Sequence, residues 1–164
     1  MADGVPLTTL QYGDDERQRV EVWGDASKAE ALLIWFHGGY WMVYPVSFLY
    51  YEVLKEGDLT RGSSTVHPLV AANVLVASVG YRLAEKGKRT VSEIVDDALT
   101  GIEKLLMEYS SIPNIVLGGH SAGAQIAFKA ASKLNCSRIR ALALFAGIFE
   151  LERLRKTVIG DAIG

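Results

Sequence analysis

Cysteine is almost absent: Cys136 is the only one. A lone thiol excludes an internal disulfide, and no neighbour stands at metal-ligand spacing, so the composition fits a reducing compartment. Long apolar runs are also missing. The longest, Leu69 to Val79, is interrupted by Asn73 and Ser78 and is too short to span a bilayer. Met1 to Thr9 have neither the basic flank nor the apolar centre of a signal peptide, so a cytoplasmic location is expected. An excess of one charge is lacking too. Net charge is −2 and the basic residues are scattered, which argues against nucleic acid and against a membrane surface as partners. No internal repeat, low-complexity tract or linker is visible. The chain nonetheless has 164 residues, 49% hydrophobic and 22% charged, which is enough for one domain with a real core.

The order of its elements is legible from apolar patterning. Leu7 to Tyr12 and Arg19 to Trp23 alternate polar and apolar around a turn at Gly13-Asp14-Asp15, the pattern of an antiparallel hairpin with one wet face. Ala31 to Phe36, Val74 to Val79, Ile115 to Leu117 and Ile139 to Phe145 are continuously apolar, as strands of a buried, mostly parallel sheet are. Helical patterns alternate with them. Thr90 and Glu93 have capping-box spacing ahead of an apolar stripe from Val91 to Tyr109. Ile126, Ala127, Ala130, Ala131 and Leu134 mark a second helix, rich in small residues. A hairpin followed by alternating strands and helices predicts a single α/β layered domain over 1–164, with helices on both faces of the sheet.

Gly119-His120-Ser121-Ala122-Gly123 matches G-x-S-x-G. The pattern is short, but here an apolar strand precedes it and a helix follows it. A serine on such a sharp turn adopts a strained backbone that lifts Oγ above the sheet, and flanking glycines relieve the crowding. The helix N-terminus then faces developing negative charge. A dinucleotide-binding fingerprint fails, because it needs glycine where His120 stands. Upstream, His37-Gly38-Gly39-Tyr40-Trp41 follows the strand ending at Phe36. Acyl transfer passes through an oxyanion that needs preorganised N–H donors, and glycines turn their amides to it without side chains in the way. Ser121 is thus the candidate nucleophile, with Gly38 or Gly39 and Ala122 as oxyanion donors. His37 is expected to brace the loop. For Tyr40 and Trp41, an aromatic wall of the substrate pocket and simple core packing both stand.

With these motifs placed, the sequence resembles the kynurenine formamidase (arylformamidase) family of the α/β-hydrolase superfamily. The matching residues are His37 to Trp41, Tyr81-Arg82-Leu83-Ala84-Glu85-Lys86-Gly87 and Gly119 to Ala124; Gly147 to Leu151 looks like the turn after the next strand. The Tyr-Trp ending separates this His-Gly-Gly-x-Trp loop from related esterases and lipases, which more often carry a third glycine or alanine. The resemblance implies hydrolysis of N-formyl-L-kynurenine to L-kynurenine and formate, in tryptophan catabolism. Ser121 would attack the formyl carbon, the aniline nitrogen would leave protonated, and water would release the formyl group. It implies a small-molecule substrate and no metal or organic cofactor, and it allows a homodimer. A carboxylesterase of the same superfamily and a noncatalytic fragment are the alternatives.

The superfamily's order is Ser, then Asp or Glu, then His. None of the three histidines, His37, His67 and His120, stands in the base position. His67 falls in a helix before a strand, and the His120 side chain is expected to point away from Ser121. Asp96 and Asp97 read as solvated helix charges. The expectation is a C-terminally truncated chain with an unpaired sheet edge and little activity of its own. Residues 43–55 read as an insertion near the substrate entrance, either a retained intron or a lid helix.

Overall fold

The computed structural model describes residues 4–42, 63–84, 88–157 and 160–161, so the expected insertion at 43–55 lies outside the described residues. Strands β1 (Leu7–Gln11) and β2 (Arg19–Trp23) form the expected antiparallel hairpin. β3 (Ala31–Phe36), α1 (Ser63–Ala71), β4 (Val74–Val79), α2 (Val91–Glu108), β5 (Asn114–His120), α3 (Ala122–Lys133), β6 (Ile139–Phe145) and the short α4 (Leu151–Leu154) follow. The strands build one six-stranded sheet in the order β1-β2-β4-β3-β5-β6. β3 pairs parallel with both β4 and β5, and β5 pairs parallel with β6. Helices must therefore carry the chain back between strands, which is why the apolar runs alternate with amphipathic stretches.

Register positions the site. Phe36 lies opposite Val79 on one side and Gly119 on the other, so the carboxyl ends of β3, β4 and β5 finish level. The segments that follow them, at His37, Gly80 and His120, emerge side by side. Alternation along the strands sends Leu32, Ile34, Phe36, Leu75, Ala77, Val79, Ile115 and Leu117 to one face, against Ile94, Ala98 and Ile102 of α2 and Ile126, Ala127 and Ala130 of α3. Val76 points the other way, to a separate cluster with Trp23 and Val66 of α1. Helices thus cover both faces, as expected of this fold class.

The edge differs from the pattern of a strand buried on both faces. β6 pairs only with β5 among the described residues, and Leu142 and Phe145 are 41% and 57% exposed. The apolar run was legible, but its burial depends on what lies beside it.

Two contacts fix the ends of α2. At its start the Thr90 hydroxyl accepts from the Glu93 amide while the Glu93 carboxylate accepts from the Thr90 amide at 2.7 Å, the full capping box. These bonds hold the Glu93 carboxyl below its usual range. At its end the Arg138 guanidinium donates to the carbonyls of Leu106 (2.8 Å), Tyr109 (3.0 Å), Ser110 (3.3 Å) and Ile112 (3.0 Å). A cation there complements the helix dipole and satisfies carbonyls that have no helical partner. Arg138→Met keeps the aliphatic stem and loses those bonds. A loss of about 2 kcal/mol in urea unfolding is expected; a change within about 0.5 kcal/mol would show that the cap contributes nothing.

The two helix carboxylates expected to be solvated differ from one another. Asp96 is exposed and pairs with Lys133 at 3.0 Å, as a surface charge does. Asp97 is not solvated: it is 4% exposed. It accepts from the Arg82 amide (3.1 Å), Nε (2.8 Å) and Nη2 (2.6 Å), and from Gln18 Nε2 (3.0 Å). That hydrogen-bonded carboxylate holds the Arg82 guanidinium above its usual pKa. Asp97 lies on the α2 stripe that contains Ile94, Ala98 and Gly101, and the stripe carries it inward.

Candidate active site

Ser121 is the residue between β5 and α3, with φ 55° and ψ −118°. A positive φ at a residue with a Cβ costs about 1–3 kcal/mol and persists only where its surroundings over-determine it. Here they do. The Ser121 amide donates to Phe145 O at 2.8 Å, and the Ser121 carbonyl accepts from the Ala124 amide at 3.1 Å. The flanking glycines let the elbow close. A Cβ on Gly119 would lie 2.8 Å from the Ala124 nitrogen and collide with Gly123. A Cβ on Gly123 would collide with the carbonyl oxygens of Phe36 and His37, at the end of β3. Those are backbone atoms and cannot rotate aside. Gly123→Ala is therefore expected to cost about 3 kcal/mol in chemical denaturation, the upper range of overpacking. An unchanged midpoint would mean that α3 can shift off β3 freely.

The loop after β3 reaches this elbow. A Cβ on Gly38 would lie 3.3 Å from Ser121 Cβ and 3.0 Å from His120 O, so a side chain there would crowd the elbow that glycine lets the loop approach. Gly39 (φ 118°), Tyr40 (φ 51°) and Trp41 (φ 62°) are all left-handed, and the turn closes with the Met42 amide on Gly39 O at 3.1 Å. Trp41 is fully buried within the core, and its Nε1 has no hydrogen-bond partner among the described residues. Tyr40 is half-buried. Of the two aromatics, only Tyr40 retains surface to offer a substrate.

A second segment ties the loop down. The Tyr81 hydroxyl donates to His37 O at 2.6 Å, and the two rings stack with centroids 4.3 Å apart and planes 10° apart. His37 Nδ1 lies 2.7 Å from Gly38 O and 3.3 Å from the Tyr81 hydroxyl. The Ala84 amide donates to Trp41 O at 2.5 Å, and Met42 and Ala84 form a parallel bridge. Burial pushes the Tyr81 phenol well above its usual pKa, so it remains a donor. These contacts hold the segments His37 to Trp41 and Tyr81 to Ala84 together, although Tyr81 and His37 are 44 positions apart in the chain.

No described residue hydrogen-bonds Ser121 Oγ. His120 is exposed, and exposed His67 lies on α1, across the sheet from α3. Among the described residues, no group of three or more His, Cys, Asp or Glu could hold a metal ion, and no helix is long and apolar enough to cross a membrane.

A serine in a strained strand-to-helix turn, with a glycine loop against it at the carboxyl ends of a mixed sheet, is the arrangement of the strand-to-helix elbow in α/β-hydrolases. A family described as alpha/beta hydrolase fold matches residues 33–159, and the chain belongs to that family. Within it, the chain is kynurenine formamidase-like. It is 29% identical over 164 residues to the kynurenine formamidases of Danio rerio and Salmo salar, covering 96% of this chain and 51% of each of those proteins. The chain therefore spans about half the length of the curated relatives it matches. A crystal structure from Silicibacter sp. tm1040 superposes with TM-score 0.77 at 23% identity, covering 98% of this chain and 56% of that one. A bacterial heroin esterase superposes with TM-score 0.60 at 24% identity, covering 90% and 46%. At such identity both share the fold alone.

Proposed function

We propose that this chain carries the nucleophile half of a formamidase acting on N-formyl-L-kynurenine. The observation that carries the reading is Ser121 held at φ 55° with Gly38 beside its Cβ. Ser121 Oγ attacks the formyl carbon, and the carbonyl oxygen becomes an oxyanion at the N-terminus of α3. The Ala122 amide and those of Gly38 or Gly39 receive it there. An imidazole-type base takes the Oγ proton during attack and returns it to the aniline nitrogen as the intermediate collapses, and water then releases formate from Ser121. His37 braces the loop and takes no proton in this scheme. Tyr40 supplies the aromatic surface for the kynurenine ring. The names of the relatives and the Tyr-Trp ending of the loop support formyl-kynurenine over a simple ester, and the lone Cys136 supports a cytoplasmic setting.

The test is formate release from N-formyl-L-kynurenine with free imidazole supplied as external base, beside acetate release from phenyl acetate. Ser121→Ala is the control. Serine-dependent formate release in preference to acetate supports the reading. Ester hydrolysis without formate release makes the protein a carboxylesterase, and turnover indifferent to Ser121→Ala sinks both.

A further inference from the structure

We infer that Tyr81 is a positioning residue that aims the amides of the oxyanion loop; the inference deepens the hydrolase reading and rests on it. Peptide geometry ties each amide to the carbonyl before it. In a trans peptide the C=O of one residue and the N–H of the next point in opposite directions within one plane, and the described chain has no cis peptide. Fixing a carbonyl therefore fixes the direction of the following amide.

Both peptides ahead of the candidate donors are held in this way. The His37 carbonyl accepts the Tyr81 hydroxyl at 2.6 Å, which turns the Gly38 N–H to the opposite side. The Gly38 carbonyl lies 2.7 Å from His37 Nδ1. A carbonyl only accepts, so that contact places the proton on Nδ1, and it turns the Gly39 N–H away from the His37 ring. The imidazole is itself held by Tyr81, through the ring stack at 4.3 Å and the 3.3 Å contact between Nδ1 and the hydroxyl oxygen. One phenol thus fixes the Gly38 amide directly and the Gly39 amide through His37.

The loop needs such a clamp. Gly38 and Gly39 have the least intrinsic preference of any residues for one peptide orientation, and no described residue lies within 4 Å of where a Gly39 side chain would sit. Donors that must reorient during the reaction lose most of their value, since preorganisation is what stabilises the oxyanion. Tyr81 is rigid: it is 1% exposed, its hydroxyl stays protonated, and Ala84 of its own segment is bonded to Trp41.

The experiment compares the chain with its Tyr81→Phe and Tyr12→Phe variants. Tyr12 is the control for a phenol lost beside the same segment: its hydroxyl donates to Gly80 O at 2.5 Å, one residue before Tyr81, and its loss leaves the Tyr81 hydroxyl on His37 O and the Asp97 bonds to Arg82 in place. Amide residual dipolar couplings report N–H direction. Tyr81→Phe is expected to change those of Gly38 and Gly39 while β3 and α3 keep theirs, and Tyr12→Phe to leave all of them in place. Imidazole-assisted formate release should fall about tenfold or more in kcat with KM unchanged in Tyr81→Phe, part of the loss seen when an oxyanion donor is removed. His37→Phe, which keeps a ring but loses Nδ1, should move Gly39 alone, and it decides the matter if Tyr81→Phe does not fold. Unchanged couplings in Tyr81→Phe, or equal changes in Tyr12→Phe, overturn the inference. If the parent chain shows no serine-dependent release even with imidazole, the hydrolase reading fails, and the couplings still decide the role of Tyr81.

Discussion

Without added base, residues 1–164 are expected to turn over N-formyl-L-kynurenine at about 10⁻³ per second or slower. A median enzyme turns over about 10 times per second, and loss of a triad partner costs about 10⁴-fold or more. The serine is well placed, but the described residues do not activate it. Of the three histidines, His37 has Nδ1 committed to Gly38 O, His67 is on α1 across the sheet, and His120 makes no hydrogen bond to Ser121. A hydroxyl without a base is a weak nucleophile at neutral pH. Steady-state formate release checks the figure, and added imidazole should raise it in proportion to its concentration. Rapid serine-dependent turnover without imidazole would mean that one of these histidines leaves its place to serve Ser121, which the contacts of His37 make hardest for that residue.

The strained strand-to-helix turn at Ser121 is legible because its signal is local. Gly119 to Gly123 sit between an apolar strand and a small-residue helix, and the crowding that demands glycine is set by atoms within that turn and the adjacent end of β3. The capping box at Thr90 is equally local, with donor and acceptor three residues apart. Signals that depend on chain-distant neighbours were not readable. Tyr81 meets His37 across 44 positions, and nothing in either residue's surroundings announces the stack. Arg138 reaches back to Leu106 across 32 positions, from a loop where an arginine reads as surface. The Trp41 alternatives could not be separated by pattern, because an indole suits both a pocket and a core; burial places it in the core. Asp97 misled for a statistical reason. Aspartate is almost never fully buried unless paired, and its partner at Arg82 precedes the helix that carries it.

That pairing makes Asp97 a determinant of stability outside the apolar core. Asp97→Ala is expected to cost about 3 kcal/mol, the low end for breaking a buried pair, because the Arg82 side chain keeps 32% exposure and rehydrates in part. In a chain of this size that is a fall of about 10 °C in Tm. Asp97→Asn should cost less, since an amide oxygen still accepts from the Arg82 backbone amide and only the charge-assisted fork is lost. The consequence extends to the site. Asp97 anchors the amide next to Tyr81 as well as the guanidinium, so it holds the segment that clamps the oxyanion loop. Loss of the carboxylate should therefore also shift the Gly38 and Gly39 amide resonances at temperatures where the variant is still folded. Thermal unfolding and amide spectra of both variants check this together. A Tm change of only a degree or two would return Asp97 to the role of a solvated helix charge, and a large Tm change with unmoved glycine amides would separate the anchor from the loop.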